Sequence, residues 1–282
     1  MFAKLGMARP AGTGRRLRKK GNHSVPIGRE FKMLSYGNRL RFAAAVAACT
    51  FVVPVYADAP AMTIMVSAGS LAKSNTVQPG TTSAGGVGTY IGSLSGTNGS
   101  SSIWNCNYNF SAASSALSAT ESGSVSLTNS SSASLAFALT ISIPTQASGP
   151  MSGLFNGSVS AALITAAGTG GVGSMGQVGF SPLWVATTGT TQVNALFSNW
   201  ATATRSTPGV TFIGSQSFGG SQPSFAVADF GSPLAITFNF ILSAGATASF
   251  STAFAGVGTP VPAPGAIAVL AMAGLGARRR RR

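Results

Sequence analysis

The chain has 282 residues and a formal net charge of +14, from 18 Lys and Arg, 4 Asp and Glu and one neutral His. Eleven of the basic residues precede Asp58 and five are the terminal Arg278, Arg279, Arg280, Arg281 and Arg282, so the excess sits at the two ends. Between Asp58 and Ala277, Lys73 and Arg205 face Asp58, Glu121 and Asp229. That nearly neutral segment has no basic stripe for phosphates, which excludes nucleic acid as a partner.

Taken in chain order, residues 1–32 form a strongly basic extension ahead of a second methionine, Met33. The segment from Met33 reads as an ordinary export signal, with Arg39 and Arg41 before an apolar run from Phe42 to Val55. Val55-Tyr56-Ala57 puts small residues where a signal peptidase reads, and cleavage is expected between Ala57 and Asp58. Translation is accordingly expected to start at Met33. The pair Arg15-Arg16 lies too far from the apolar run to act as a twin-arginine signal, and Cys49 follows Arg41 too closely for a lipoprotein signal.

Residues 58–260 are expected to form one exported domain. In Ile103 to Phe110, Trp104, Cys106, Tyr108 and Phe110 alternate with Asn105, Asn107 and Asn109, the period of a strand with one buried face. Cys106 is then a small buried hydrophobe. Leu135 to Ile143 and Leu234 to Phe240 alternate in the same way, and weaker alternation marks Met62–Val66, Val125–Thr128, Gly157–Ile164, Val178–Ala186, Val210–Phe218, Phe225–Phe230 and Ala248–Phe254. Val193, Leu196, Phe197 and Trp200 are spaced for one face of a short helix. The predicted fold is all-β, a single antiparallel β-sandwich or jelly roll of about ten strands with that one short helix. Residues 67–101, rich in Gly and Ser, read as a long loop or flexible approach, and Gly256 to Pro260 as a short stalk.

The segment from 261 to 282 closes the chain. Val261, Pro262, Ala263, Pro264 and Gly265 lead into an uncharged run from Gly265 to Ala277, and five arginines follow. As a helix that run would reach about 20 Å, short of the roughly 30 Å of a bilayer's hydrocarbon core, so it suits transient membrane insertion better than a permanent anchor. The arginines would stay on the cytoplasmic side, and the two prolines would keep the entry segment extended. This order of Pro-x-Pro, apolar helix and Arg cluster resembles the bacterial PEP-CTERM sorting domain, with Ala263 where the family carries Glu. The resemblance implies processing by an exosortase-like enzyme on the way to the cell surface.

Catalysis finds little to work with. The single histidine, His23, precedes the signal, and the three carboxylates of residues 58–277 lie about sixty or more positions apart with no Asp-rich loop around them. No catalytic residue, metal ligand or cofactor is therefore expected. The expected function is that of an exported cell-surface or extracellular-matrix (biofilm) protein. The alternatives are a carbohydrate-binding, lectin-like module that stacks polysaccharide rings on Trp104, Trp184 or Trp200, and a functional amyloid built on Leu135–Ile143 and Ile236–Leu242.

Overall fold

The computed structural model describes residues 59–260 apart from 84, 148–150, 167–171 and 228. Its strands fall into two antiparallel sheets of eight. The first holds β1 (Met62–Ala68), β2 (Leu71–Val77), β7 (Leu135–Ile143), β9 (Gly173–Gly176), β10 (Trp184–Thr188), β11 (Thr191–Leu196), β12 (Ala203–Arg205) and β15 (Leu234–Leu242). The second holds β3 (Thr81–Thr82), β4 (Gly88–Asn98), β5 (Ser101–Ser114), β6 (Ser118–Asn129), β8 (Met151–Thr165), β13 (Gly209–Phe218), β14 (Phe225–Val227) and β16 (Ala246–Pro260). The main path of the first sheet runs β11-β10-β15-β7-β1-β2, and that of the second β13-β8-β16-β6-β5-β4-β3.

The period-two pattern explains why these segments pair as they do. In β7, Phe137, Leu139, Ile141 and Ile143 are buried while Ala136, Ala138, Thr140 and Ser142 face outward. β15 matches it residue for residue, Leu139 opposite Phe238 and Ile141 opposite Ile236, so a slip of one position would turn both apolar sets to solvent. The two segments with zipper-like composition are thus neighbours in the middle of a sheet, with both backbone edges occupied.

The apolar faces of the two sheets share one core, consistent with a β-sandwich. Phe250 of β16 lies with its ring centroid 4.4 Å from that of Phe238 and 5.2 Å from that of Phe240, both on β15. Trp184 of β10 meets Phe254 of β16 edge-on at 6.0 Å. Such pairs contribute about 0.5–1.5 kcal/mol each beyond the area they bury.

Glycine spacing shapes the β4 edge. Gly88, Gly92 and Gly96 alternate with Tyr90 and Leu94 on the inner side of β4, and the β5 rings of Tyr108 and Trp104 lie over Gly92 and Gly96. A Cβ at Gly96 would overlap the Trp104 indole, and one at Gly92 would meet the Tyr108 hydroxyl. The missing side chains are the room into which those aromatics fold. Tyr90, buried between them, donates its hydroxyl to the Pro60 carbonyl.

Several expectations are corrected. The described residues contain sixteen strands rather than about ten, because residues 67–101 hold all of β2, β3 and β4 with the end of β1 and the start of β5 instead of a loop, and the short β9, β11 and β12 add to them. Val193, Leu196, Phe197 and Trp200 form no helix: Thr191–Leu196 pairs with β10 as β11, and Phe197 follows at φ 55° with its amide held by Gln216 Oε1. β-Branched Thr191 and Val193 suit that strand, and the 3.6-residue spacing of the apolar side chains comes from a strand followed by a sharp turn. Val178–Ala186 is strand only from Trp184. Gly256 to Pro260 is no stalk, since β16 continues in register to Pro260 opposite Met151. The apolar sorting helix lies outside the described residues.

Candidate binding face

The outer side of the second sheet is where this fold concentrates unpartnered polar groups. Opposed residues in an antiparallel ladder share a face, so the registers of β4, β5, β6, β16, β8 and β13 define rows across the sheet. One row reads Ile91, Asn109, Ser124, Ser251, Ser160, Ser215. Its neighbours read Ser93, Asn107, Ser126, Ser249, Ala162, Phe212 on one side and Thr89, Ser111, Ser122, Ala253, Ser158, Ser217 on the other. These rows contain no charged side chain. Strands stand about 4.8 Å apart and same-face residues about 6.7 Å along each strand, which makes the rows a two-dimensional grid of hydroxyls and amides.

Because the central side chains are Ser, Gly and Ala, the face is hollow. A shallow trough of about 550 Å³ lies over Asn109, Ser111, Ser122, Ser124, Ser158, Ser160, Ser251 and Ala253. A second hollow of about 200 Å³ adjoins it, sharing Ser122, Ser158 and Ala253 and extending to Asn156, Ser217 and Gly220. Thr128 and Thr247 hydrogen-bond each other, and so do Ser160 and Ser215, at 2.8 and 3.1 Å. The side chains of Asn107, Asn109, Ser122, Ser124, Ser158 and Ser251 make no bond within the described protein and are turned to solvent. Two large apolar side chains flank the grid: Ile91 at its β4 edge, 70% exposed, and Phe212 at its β13 edge, 66% exposed.

Beneath the trough the core is tied to it by one hydroxyl. Thr252 Oγ1 accepts from the Trp184 indole N–H at 2.9 Å and donates to the Ser158 carbonyl at 2.9 Å. Trp184 is fully buried by this arrangement, and Trp104 is fully buried over Gly96. Neither ring is available as a sugar platform, which corrects that expectation for both. Trp200 is half-buried and packs against the core with its indole N–H covered. The large apolar area of a Trp indole finds its place in this core, whereas the small residues of the trough carry no sequence signal until the register aligns them.

The ionisable groups are few and mostly spent. Arg205 donates to the carbonyls of Thr207, Pro208 and Val210, closing its own loop. Glu121 lies on the inner side of β6, opposite Ala112 and Phe254, with both carboxyl oxygens buried and without a hydrogen-bond partner. Burial holds its carboxyl well above the usual carboxylate range. Cys106 is a free, buried thiol on the inner face of β5, pushed up to about 12 by the same desolvation. Among the described residues no three His, Cys, Asp or Glu side chains are grouped to hold a metal ion, and no helix is long and apolar enough to cross a membrane.

The processing residues Ala57 and Asp58, and the sorting residues Val261 to Gly265 and Arg278 to Arg282, lie outside the described residues. No protein-family model, curated protein or solved structure matches this chain.

Proposed function

We propose that the chain is an exported, non-catalytic protein of the cell surface or extracellular matrix, delivered by the signal at residues 33–57 and sorted by the tail at 261–282. The observation that carries this reading is the near absence of ionisable side chains from a well-packed two-sheet domain. Lys73, Arg205 and Asp229 are the only charged side chains outside the core among the described residues. A surface of Ser, Thr, Asn and Gly suits display in a matrix, and it leaves few groups that could act as base or acid.

Mass spectrometry of the terminal peptides, taken separately from cell envelope and medium, tests the proposal. The expected result is an N-terminus at Asp58 and a C-terminus near Pro264. Intact Met1 and Arg282 in the cytoplasm would overturn it. Deletion of Arg278–Arg282 is expected to release the protein from the envelope fraction, and unchanged fractionation would count against the tail's role.

Carbohydrate binding is the second reading, favoured by a specific observation: the unbonded hydroxyls and amides gathered over the β6-β16-β8 trough. It keeps the lectin-like activity expected from composition and moves it from the tryptophans to the sheet face.

A further inference from the structure

We propose that the trough on the outer face of the second sheet is a binding site for a neutral, extended polysaccharide strand, an inference that rests on the carbohydrate-binding reading. The argument is one of chemical complementarity. A nucleic acid, an acidic glycan or an anionic lipid surface would find no cation on these rows. An apolar protein surface would strip water from Asn107, Asn109, Ser124 and Ser251 without replacing the hydrogen bonds, which is costly for each group covered. A chain of neutral sugar rings has hydroxyls at close intervals that donate and accept alike. It matches the unbonded serine hydroxyls and asparagine amides of the grid, each of which can both donate and accept.

The shape agrees. The trough crosses the strands, and the row from Ile91 to Ser215 spans six of them, about 24 Å at the usual strand spacing. Several pyranose rings fit along that length. Ser124, Ser251 and Ser160 form the floor, and their short side chains let the glycan approach the sheet. Asn109 stands at one wall and its two-faced amide bonds a sugar hydroxyl as donor and as acceptor. Phe212 rises one row from Ser160 and offers its ring to the apolar face of a sugar, the contact that the buried tryptophans do not provide.

The test uses the purified full-length chain and affinity electrophoresis through gels containing a neutral polysaccharide (dextran, mannan, β-glucan or galactan), with alginate as the acidic counter-probe. Retardation by at least one neutral polymer, little changed between low and high salt, is expected, whereas alginate, which the basic ends of the full-length chain attract at low salt, is expected to give none at high salt. Ser251→Trp fills the floor between Ser124 and Ser160 from an exposed strand position where an aromatic is well tolerated, and is expected to weaken binding tenfold or more with an unchanged thermal melt. Asn109→Ala and Phe212→Ala are each expected to weaken it severalfold. No retardation by any of the four neutral polymers, alginate retardation at high salt that Ser251→Trp weakens, or neutral-polymer binding unaffected by Ser251→Trp would each overturn the site. Failure of export would show in the cell fractions and leaves this result untouched.

Discussion

Glu121 provides the sharpest test of the core. Its two oxygens are buried against Ala112 and Phe254 with no hydrogen-bond partner, so the folded protein holds it neutral while the unfolded chain ionises it near the ordinary value of about 4.3. Between that pH and the raised value in the fold, the native state keeps a proton that the unfolded state has released. The stability this carboxyl contributes is therefore complete below about pH 4.3 and falls as pH rises, by about 1.4 kcal/mol per pH unit for one proton. Urea midpoints measured every half unit from pH 4 to 8 would record the fall. Glu121→Gln, which has no proton to lose, is expected to lie flatter by that slope. Glu121→Leu, which removes both unpaired oxygens at similar volume, is expected to gain about 1–3 kcal/mol at neutral pH. A wild-type profile parallel to that of Glu121→Gln would refute the assignment.

Three further outcomes follow from the packing. Thr252→Val should cost about 1–3 kcal/mol in denaturant unfolding, because the Trp184 indole N–H loses its acceptor, and the cost should largely vanish in a Trp184→Phe background. Gly96→Ala drives a methyl into the Trp104 indole and should cost about 1–3 kcal/mol, whereas Gly99→Ala, at φ 59° with open space around it, should cost about 1 kcal/mol; paired thermal melts give the order. The Cys106 thiol, buried and pushed up to about 12, should resist iodoacetamide at pH 8 for as long as the chain is folded and react at once in urea, as intact-mass measurements would show.

Much of this fold is legible in the chain because strand periodicity is local information. Trp104 to Phe110 and Leu135 to Ile143 declare their buried faces without any knowledge of their partners, and Cys106 falls on the inside as its neighbours require. β2 and β4 are not legible in that way. The inner side of β2 is largely exposed and three of the five inner positions of β4 are glycine, and it is Trp104 and Tyr108 on the next strand that complete the β4 surface. The spacing from Val193 to Trp200 misleads for a related reason: a strand that ends in a positive-φ turn spaces its buried side chains as a helix does. The trough is the least legible feature. Ser124, Ser160 and Ser251 are widely separated in sequence, and only the pairing of β6, β16 and β8 brings them side by side.

The places of β15 and β16 have a consequence for when the molecule comes into being. They are the last two strands of the described chain, yet each lies inside its sheet: β15 between β7 and β10, and β16 between β6 and β8. A chain emerging from its N-terminus, whether from a ribosome or through a pore, carries two half-sheets on each side until residues 234–260 arrive. Until then each sheet is open at the place of its missing strand, and the serines of the trough have no common floor. Completion of both sheets therefore waits for these two strands, because the pairings that join the halves are also the latest in sequence. The order of strands thus ties the completion of both sheets to the last described segment of the chain.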